Sequence, residues 1–135
     1  MTEEMLGRVI RPAEDYEGKQ GASYGAGVSA ETTGAKSLWL GSATLPPGGR
    51  TKAHIHENHE SAFYFVSGEE AEMFTGERLE SRATARPGDY IYIPANVRHV
   101  VVNRGTSPAV FVGARTDPNE QESVMMLPEL DALVP

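Results

Sequence analysis

Short β-prone runs, each cut off by glycine or proline, constrain this chain more than any other feature. Glycine occurs 14 times and proline nine times, and the breaks fall at roughly 8–12-residue intervals, the rhythm of an all-β sandwich or barrel. "SLWLGSATL" (37–45) reads as a strand stopped by the turn "PPGG", and "TKAHIH" alternates toward a cluster of histidines. "SAFYFVSG" (61–68) is a strongly β-prone aromatic run ended by Gly68. "EEAEMFTG" and "ERLESRATARPG" read as an antiparallel pair joined near Gly76. "DYIYIP" (89–94) alternates cleanly, and "RHVVVN" and "SPAVFVGART" supply two more strands. No helix is expected in the body of the chain. The glycine-rich "GASYGAGVSAETTG" lacks the GxxxxGK[ST] pattern of a phosphate loop.

A chain of 135 residues fits one domain with a real core. The expected organisation is a single domain over 1–135, with a barrel core at about 36–115. An N-terminal strand and loops occupy 1–35, and a C-terminal arm occupies 116–135. The arm, "TDPNEQESVMMLPELDALVP", reads as a short helix or an extended piece packing on its own barrel or a neighbouring subunit. Its apolar "VMMLPEL" would expose a hydrophobic patch unless it packs on one or the other.

The net charge of −7 argues against nucleic-acid binding, which needs basic surface to displace counterions. No run reaches the apolar length of a membrane span, and the acidic N-terminus lacks the pattern of a signal peptide. The sequence has no cysteine, which removes disulfides and thiolate sites and fits a reducing cytoplasm.

Three of the four histidines fall in "HIHENHE" (54–60), and the fourth, His99, lies in "GDYIYIPANVRHVVVN". Residues i and i+2 of a strand share a face, so His54 and His56 can point at one common ion. Glu60, beyond a polar turn, can add a carboxylate, and His99 can close the site from a facing sheet. Three nitrogens and one oxygen suit a first-row divalent ion. The alternative is a polar turn and ordinary core histidines. The spacing excludes the zincin HExxH pattern.

Two stretches then resemble the two cupin motifs. Gly48-(five residues)-His54-x-His56-(three residues)-Glu60-(seven residues)-Gly68 is similar to the first. Gly88-(five residues)-Pro94-x-Asn96-(two residues)-His99-(three residues)-Asn103 is similar to the second. The resemblance is to the cupin superfamily, its small single-domain branch, and it implies a homodimer formed through sheet faces or swapped terminal strands, with which the apolar "VMMLPEL" is consistent. It implies a double-stranded β-helix, a jelly-roll of two antiparallel sheets around a metal. His54, His56, Glu60 and His99 are the implied ligands of one divalent transition metal, iron, manganese, nickel, copper or zinc. Six residues usually separate the glutamate from the glycine, and here there are seven. That departure implies either a bulge after Glu60 or a register in which His59 is the ligand. Asn96 stands where glycine is usual, and asparagine tolerates the left-handed conformation a turn there requires.

Alternate residues of the aromatic strands are expected to line the barrel. Without a bulge Ala62, Tyr64 and Val66 follow Glu60 inward, whereas a bulge brings in Phe63 and Phe65. Trp39, Met73, Tyr92 and Phe111 are further lining candidates, and ordinary core is the reading preferred for each. Arg50 and Lys52 share the parity of His54 and His56 and can reach an anionic substrate at the mouth, and a solvated strand end explains them equally well. Asn103 is expected to hydrogen-bond within the core, and "RPGD" around Arg86 and Asp89 is turn chemistry. The implied activity is a metalloenzyme on a small molecule, dioxygenase-like chemistry ahead of a sugar-phosphate isomerase. A ligand-binding or sensing module without turnover is the other class.

Overall fold

A computed structural model describes residues 6–12 and 14–135. The extreme acidic N-terminus (1–5) and position 13, part of the expected N-terminal loops, lie outside the described residues.

Among the described residues, eleven strands build two antiparallel sheets. The first contains β1 (Tyr16–Glu17), β2 (Ser23–Val28), β3 (Trp39–Leu45), β10 (Ala109–Arg115), β5 (Ser61–Ser67) and β8 (Tyr90–Ile93), adjacent in that order. The second contains β11 (Val124–Met126), β4 (His54–His56), β9 (His99–Asn103), β6 (Ala71–Thr75) and β7 (Ser81–Ala85). Together they form a double-stranded β-helix. The pair predicted around Gly76 is β6 and β7, in register from Ala71 opposite Ala85 to Thr75 opposite Ser81.

The interior is filled as the alternation demands. Trp39, Phe65, Ile91, Ile93 and Phe111 anchor one apolar cluster between the sheets. Phe65 is fully buried and lies 4.5 Å from Phe111, ring centre to ring centre. Gly113 is dictated by Phe63, because a Cβ there would run into the Phe63 ring. A second cluster, around Ala53, Phe74, Leu79 and Val100, is completed by Leu130 and Val134 of the tail. The arm therefore packs on its own barrel: β11 pairs antiparallel with β4, and a 3-10 turn (Pro128–Leu133) follows. The only α-helix among the described residues is one turn, α1 (Ala30–Thr33), capped reciprocally by Ser29 and Thr32.

Asn103 is buried and donates through Nδ2 to the carbonyls of Leu45, Pro46 and Ser107 at 2.9–3.1 Å. It fastens loops at the end of β9. The "RPGD" turn closes as turn chemistry predicts, the Arg86 amide donating to Asp89 Oδ2 at 2.8 Å.

Candidate metal centre

β4 presents His54 and His56 to one face two residues apart. His99 joins them not from a facing sheet, as expected, but from β9, the neighbouring strand of the same sheet, where it is the register partner of His54. Each of the three offers a ring nitrogen, and these atoms lie within 4.8 Å of one another. Ring centres stand 4.1 Å apart for His54 and His99, 5.2 Å for His54 and His56, and 5.8 Å for His56 and His99. All three side chains are buried, at 1–3% exposure.

Their hydrogen bonds fix which nitrogen is free. His54 Nδ1 lies 2.6 Å from the Lys52 carbonyl, and His99 Nδ1 lies 2.9 Å from the Val97 carbonyl. A carbonyl only accepts, so each Nδ1 carries the proton and each Nε2 keeps its lone pair. Ser123 Oγ donates to the Glu120 carbonyl at 3.2 Å and so accepts from His56 Nδ1, over a longer 3.4 Å. Outer partners of this kind orient ligating imidazoles. His56 Nε2 is buried and without a hydrogen-bond partner among the described residues, an atom that a bound cation would satisfy.

The rings are tuned to stay neutral. Burial pushes the His99 pKa down to about 4. Burial and then the neighbouring His99 hold His54 well below its ordinary value. Burial and then the charge of Arg115 do the same to His56. Neutral imidazole is the form that binds a metal. The residues present therefore fit a divalent transition ion.

The structure does not bring Glu60 or His59 to this group. Glu60 precedes β5 by one residue, and its exposed side chain accepts from the Tyr92 hydroxyl at 2.9 Å. His59 Nδ1 lies 3.0 Å from Thr116 Oγ1. Period-two alternation decides the matter, with Ser61, Phe63 and Phe65 turned inward and Ala62, Tyr64 and Val66 outward. Leaving six residues (62–67) between it and Gly68 puts the motif position at Ser61, so a buried hydroxyl stands where the motif usually has its carboxylate. No register shift falls between residues 61 and 65; the bulge sits further on, at Val66 opposite Val110 and Phe111.

The expected pocket residues are also redistributed. Tyr64 and Tyr92 face outward because they share the parity of Ala62. Phe65 is core, and Met73 packs against that core, partly buried. Arg50 donates to the carbonyls of Asp131 and Val134, at 3.0 and 2.8 Å, and so clamps the tail. Lys52 is exposed and serves the site through its carbonyl. Asn96 adopts φ 65° and ties the turn down, accepting the Asn58 amide at 2.9 Å through Oδ1 and donating its own amide to the His56 carbonyl at 3.1 Å.

A residue absent from the sequence reading sits beside the centre. Arg115, at the end of β10, is 3% exposed. Its Nε donates to Ser61 Oγ at 3.1 Å, and its Nη1 donates to Glu120 Oε2 at 3.2 Å. The rings of Phe63, Trp39 and Tyr24 stand 5.2, 5.3 and 5.5 Å from its guanidinium carbon, a cation–π enclosure. Glu120 also accepts from Tyr16 Oη at 2.6 Å and Gln121 Nε2 at 2.7 Å. One signal was available: Arg115 has the inward parity of Phe111 and Gly113 in an otherwise apolar run.

Two antiparallel sheets rolled around a buried three-histidine group define a metal-binding β-barrel. The profile of the cupin domain family matches residues 41–114, and the chain belongs to that family. An uncharacterised protein of Methanocaldococcus jannaschii is 28% identical over 88 residues, covering 65% of this chain and 67% of that one. Oxalate decarboxylase of Bacillus subtilis is 25% identical at a TM-score of 0.71, covering 85% of this chain and 30% of that one. A double-stranded β-helix protein of Klebsiella pneumoniae subsp. pneumoniae matches at 18% identity and a TM-score of 0.63, over 87% of this chain and 90% of its own. The chain spans about a third of the oxalate decarboxylase chains that it matches.

Proposed function

We infer that this cupin is a metalloenzyme acting on a small molecule, with His54, His56 and His99 as the protein ligands. One observation carries the reading: three buried histidines, each with its Nδ1 held by an oxygen, bring one ring nitrogen apiece within 4.8 Å of one another. A bound divalent ion supplies Lewis acidity and, if redox-active, one-electron chemistry. Three protein ligands leave positions open for substrate, which supports oxygenation of a chelating substrate. The oxalate decarboxylase likeness makes carbon–carbon cleavage of a small acid the second chemistry to assay. The chain's own part is to hold three imidazoles neutral and oriented, through Lys52, Val97 and Ser123, in a site screened from bulk water. The lack of cysteine supports a cytoplasmic setting. No helix among the described residues is long and apolar enough to cross a membrane.

Metal content decides the reading. Protein purified without chelators and reconstituted with iron, manganese or zinc is expected to hold close to one equivalent by elemental mass spectrometry. The His54→Ala/His56→Ala variant is expected to hold less than about a tenth of that, because one imidazole cannot retain the ion. Wild-type protein that takes up no metal would sink the proposal. Metal without oxygen consumption or decarboxylation over a panel of small acids would favour a ligand-binding module instead.

A homodimer through the outer face of the first sheet belongs to the same proposal. There Val112 pairs with Tyr64 and Tyr64 with Tyr90, while Ala114 pairs with Ala62 and Ala62 with Tyr92. Tyr64, Tyr90, Tyr92 and Val112 are 39–82% exposed, a contiguous patch of the kind that marks an interface. Sedimentation equilibrium is expected to return twice the chain mass, and Val112→Lys/Tyr90→Lys to return the monomer. A monomeric wild type rejects the interface.

A further inference from the structure

We propose that Arg115 is the anion-recognition residue of the metal centre, and that the molecules this centre accepts are small carboxylates that chelate the ion. The inference rests on the three-histidine metal reading and adds the substrate class.

Charge and position carry it. The inward place on β5 that faces Arg115 holds Ser61, a neutral hydroxyl. A divalent ion on three neutral imidazoles therefore receives no compensating charge from its ligands. The nearest buried ions cancel each other, because Arg115 and Glu120 form a pair at 1–2% side-chain exposure. Burying an uncompensated divalent charge is strongly unfavourable, and an anionic ligand removes the penalty. A carboxylate that also meets a guanidinium gains charge-assisted, directional hydrogen bonds.

Arg115 is built into the centre. One hydrogen-bonded path runs from His56 through Ser123 to the backbone of Glu120, whose carboxylate holds Arg115. The strand pairing that sets Arg115 opposite Ser61 continues from Ser61 to Ile93 on β8. The rings of Phe63, Trp39 and Tyr24 surround the buried guanidinium at 5.2–5.5 Å from its central carbon. A solvated surface arginine has none of these constraints. Glu120 engages one edge of the guanidinium and Ser61 accepts from its Nε, so the group is oriented before any ligand arrives.

The test uses the cobalt(II)-loaded protein, whose visible absorption reports on the ion's ligands without any turnover. The probes are oxamate, a chelating carboxylate, and oxamide, the same shape with an amide in its place. Oxamate is expected to change the spectrum saturably, with oxamide at least tenfold weaker. Because removing one partner of a buried pair can unfold a protein, the decisive variant is Arg115→Met/Glu120→Gln, which removes both charges and keeps the volume. It is expected to retain one equivalent of cobalt and to bind oxamate about 10- to 100-fold more weakly, the loss expected for hydrogen bonds to a charged group. Arg115→Lys, which keeps the charge and loses the fork, is expected to fall between. Equal binding of oxamate and oxamide by wild type, or undiminished oxamate binding by the double variant, overturns the role of Arg115 and leaves the metal site standing. A wild type that takes up no cobalt overturns the metal reading itself.

Discussion

Metal-free protein is expected to lose stability steeply as the pH falls below about 6.5. Unfolded histidines take up protons near that pH, while burial keeps the folded rings neutral, His99 down to about pH 4 and His54 and His56 below their ordinary value as well. Between these limits the unfolded state binds more protons, so acid favours unfolding and stability rises with pH. Each fully depressed histidine contributes a slope of about 1.4 kcal/mol per pH unit, and three together approach about 4. Such a slope is large against a typical stability of about 5–15 kcal/mol. Urea unfolding of chelator-treated protein at pH 7 and 5.5 is the measurement, and a loss of roughly 2–4 kcal/mol is expected. Zinc should move the loss to lower pH, because a proton must then compete with the ion for each Nε2. A flat profile in metal-free protein would mean that the three rings are solvated in the native state.

Removing Arg115 alone is the second large effect. Arg115→Ala leaves the Glu120 carboxylate buried with Tyr16 and Gln121 as its side-chain donors among the described residues. It also empties the space between Tyr24, Trp39 and Phe63. Breaking a buried pair from one side costs about 3–5 kcal/mol, whereas replacing both members with neutral groups of similar size is often close to neutral. Arg115→Ala should therefore unfold at much lower urea than wild type, and Arg115→Met/Glu120→Gln should recover most of the difference. If Arg115→Ala unfolds with wild type, the pair is not desolvated in the native protein. If the double variant is as weak as the single, cavity rather than charge dominates the loss.

The barrel strands were legible because apolar alternation and glycine or proline stops coincide from Trp39 to Arg115. Two consecutive polar residues defeated the reading at one point. Glu60 and Ser61 sit where the turn gives way to β5, and a one-residue slip exchanges every side chain between faces. Glutamate looked like the better ligand, whereas the apolar phase of Phe63 and Phe65 turned Ser61 inward. Tyr64 and Tyr92 went to the outer face for the same reason. The tail was legible only as apolar, since β11 is three residues long and its partner β4 lies far back in the sequence. Arg115 is hard to read despite its inward parity, because an arginine at a strand end usually faces water. Its partner sits in "TDPNEQE", where nothing local distinguishes Glu120 from its neighbours.

Pairing of β3 with β10 joins Trp39 to Arg115, and pairing of β4 with β9 joins His54 to His99. Neither closure can be reached through sequence neighbours alone, so the chain has a high contact order and should fold over milliseconds to seconds. The entropy of closing these long loops must be met by apolar collapse before the third imidazole reaches the other two. An ion arriving early finds only His54 and His56, a weak bidentate pair on a single strand. On the proposed three-histidine centre, metal capture is therefore a late event in the life of the chain, a reward for completed folding rather than its trigger.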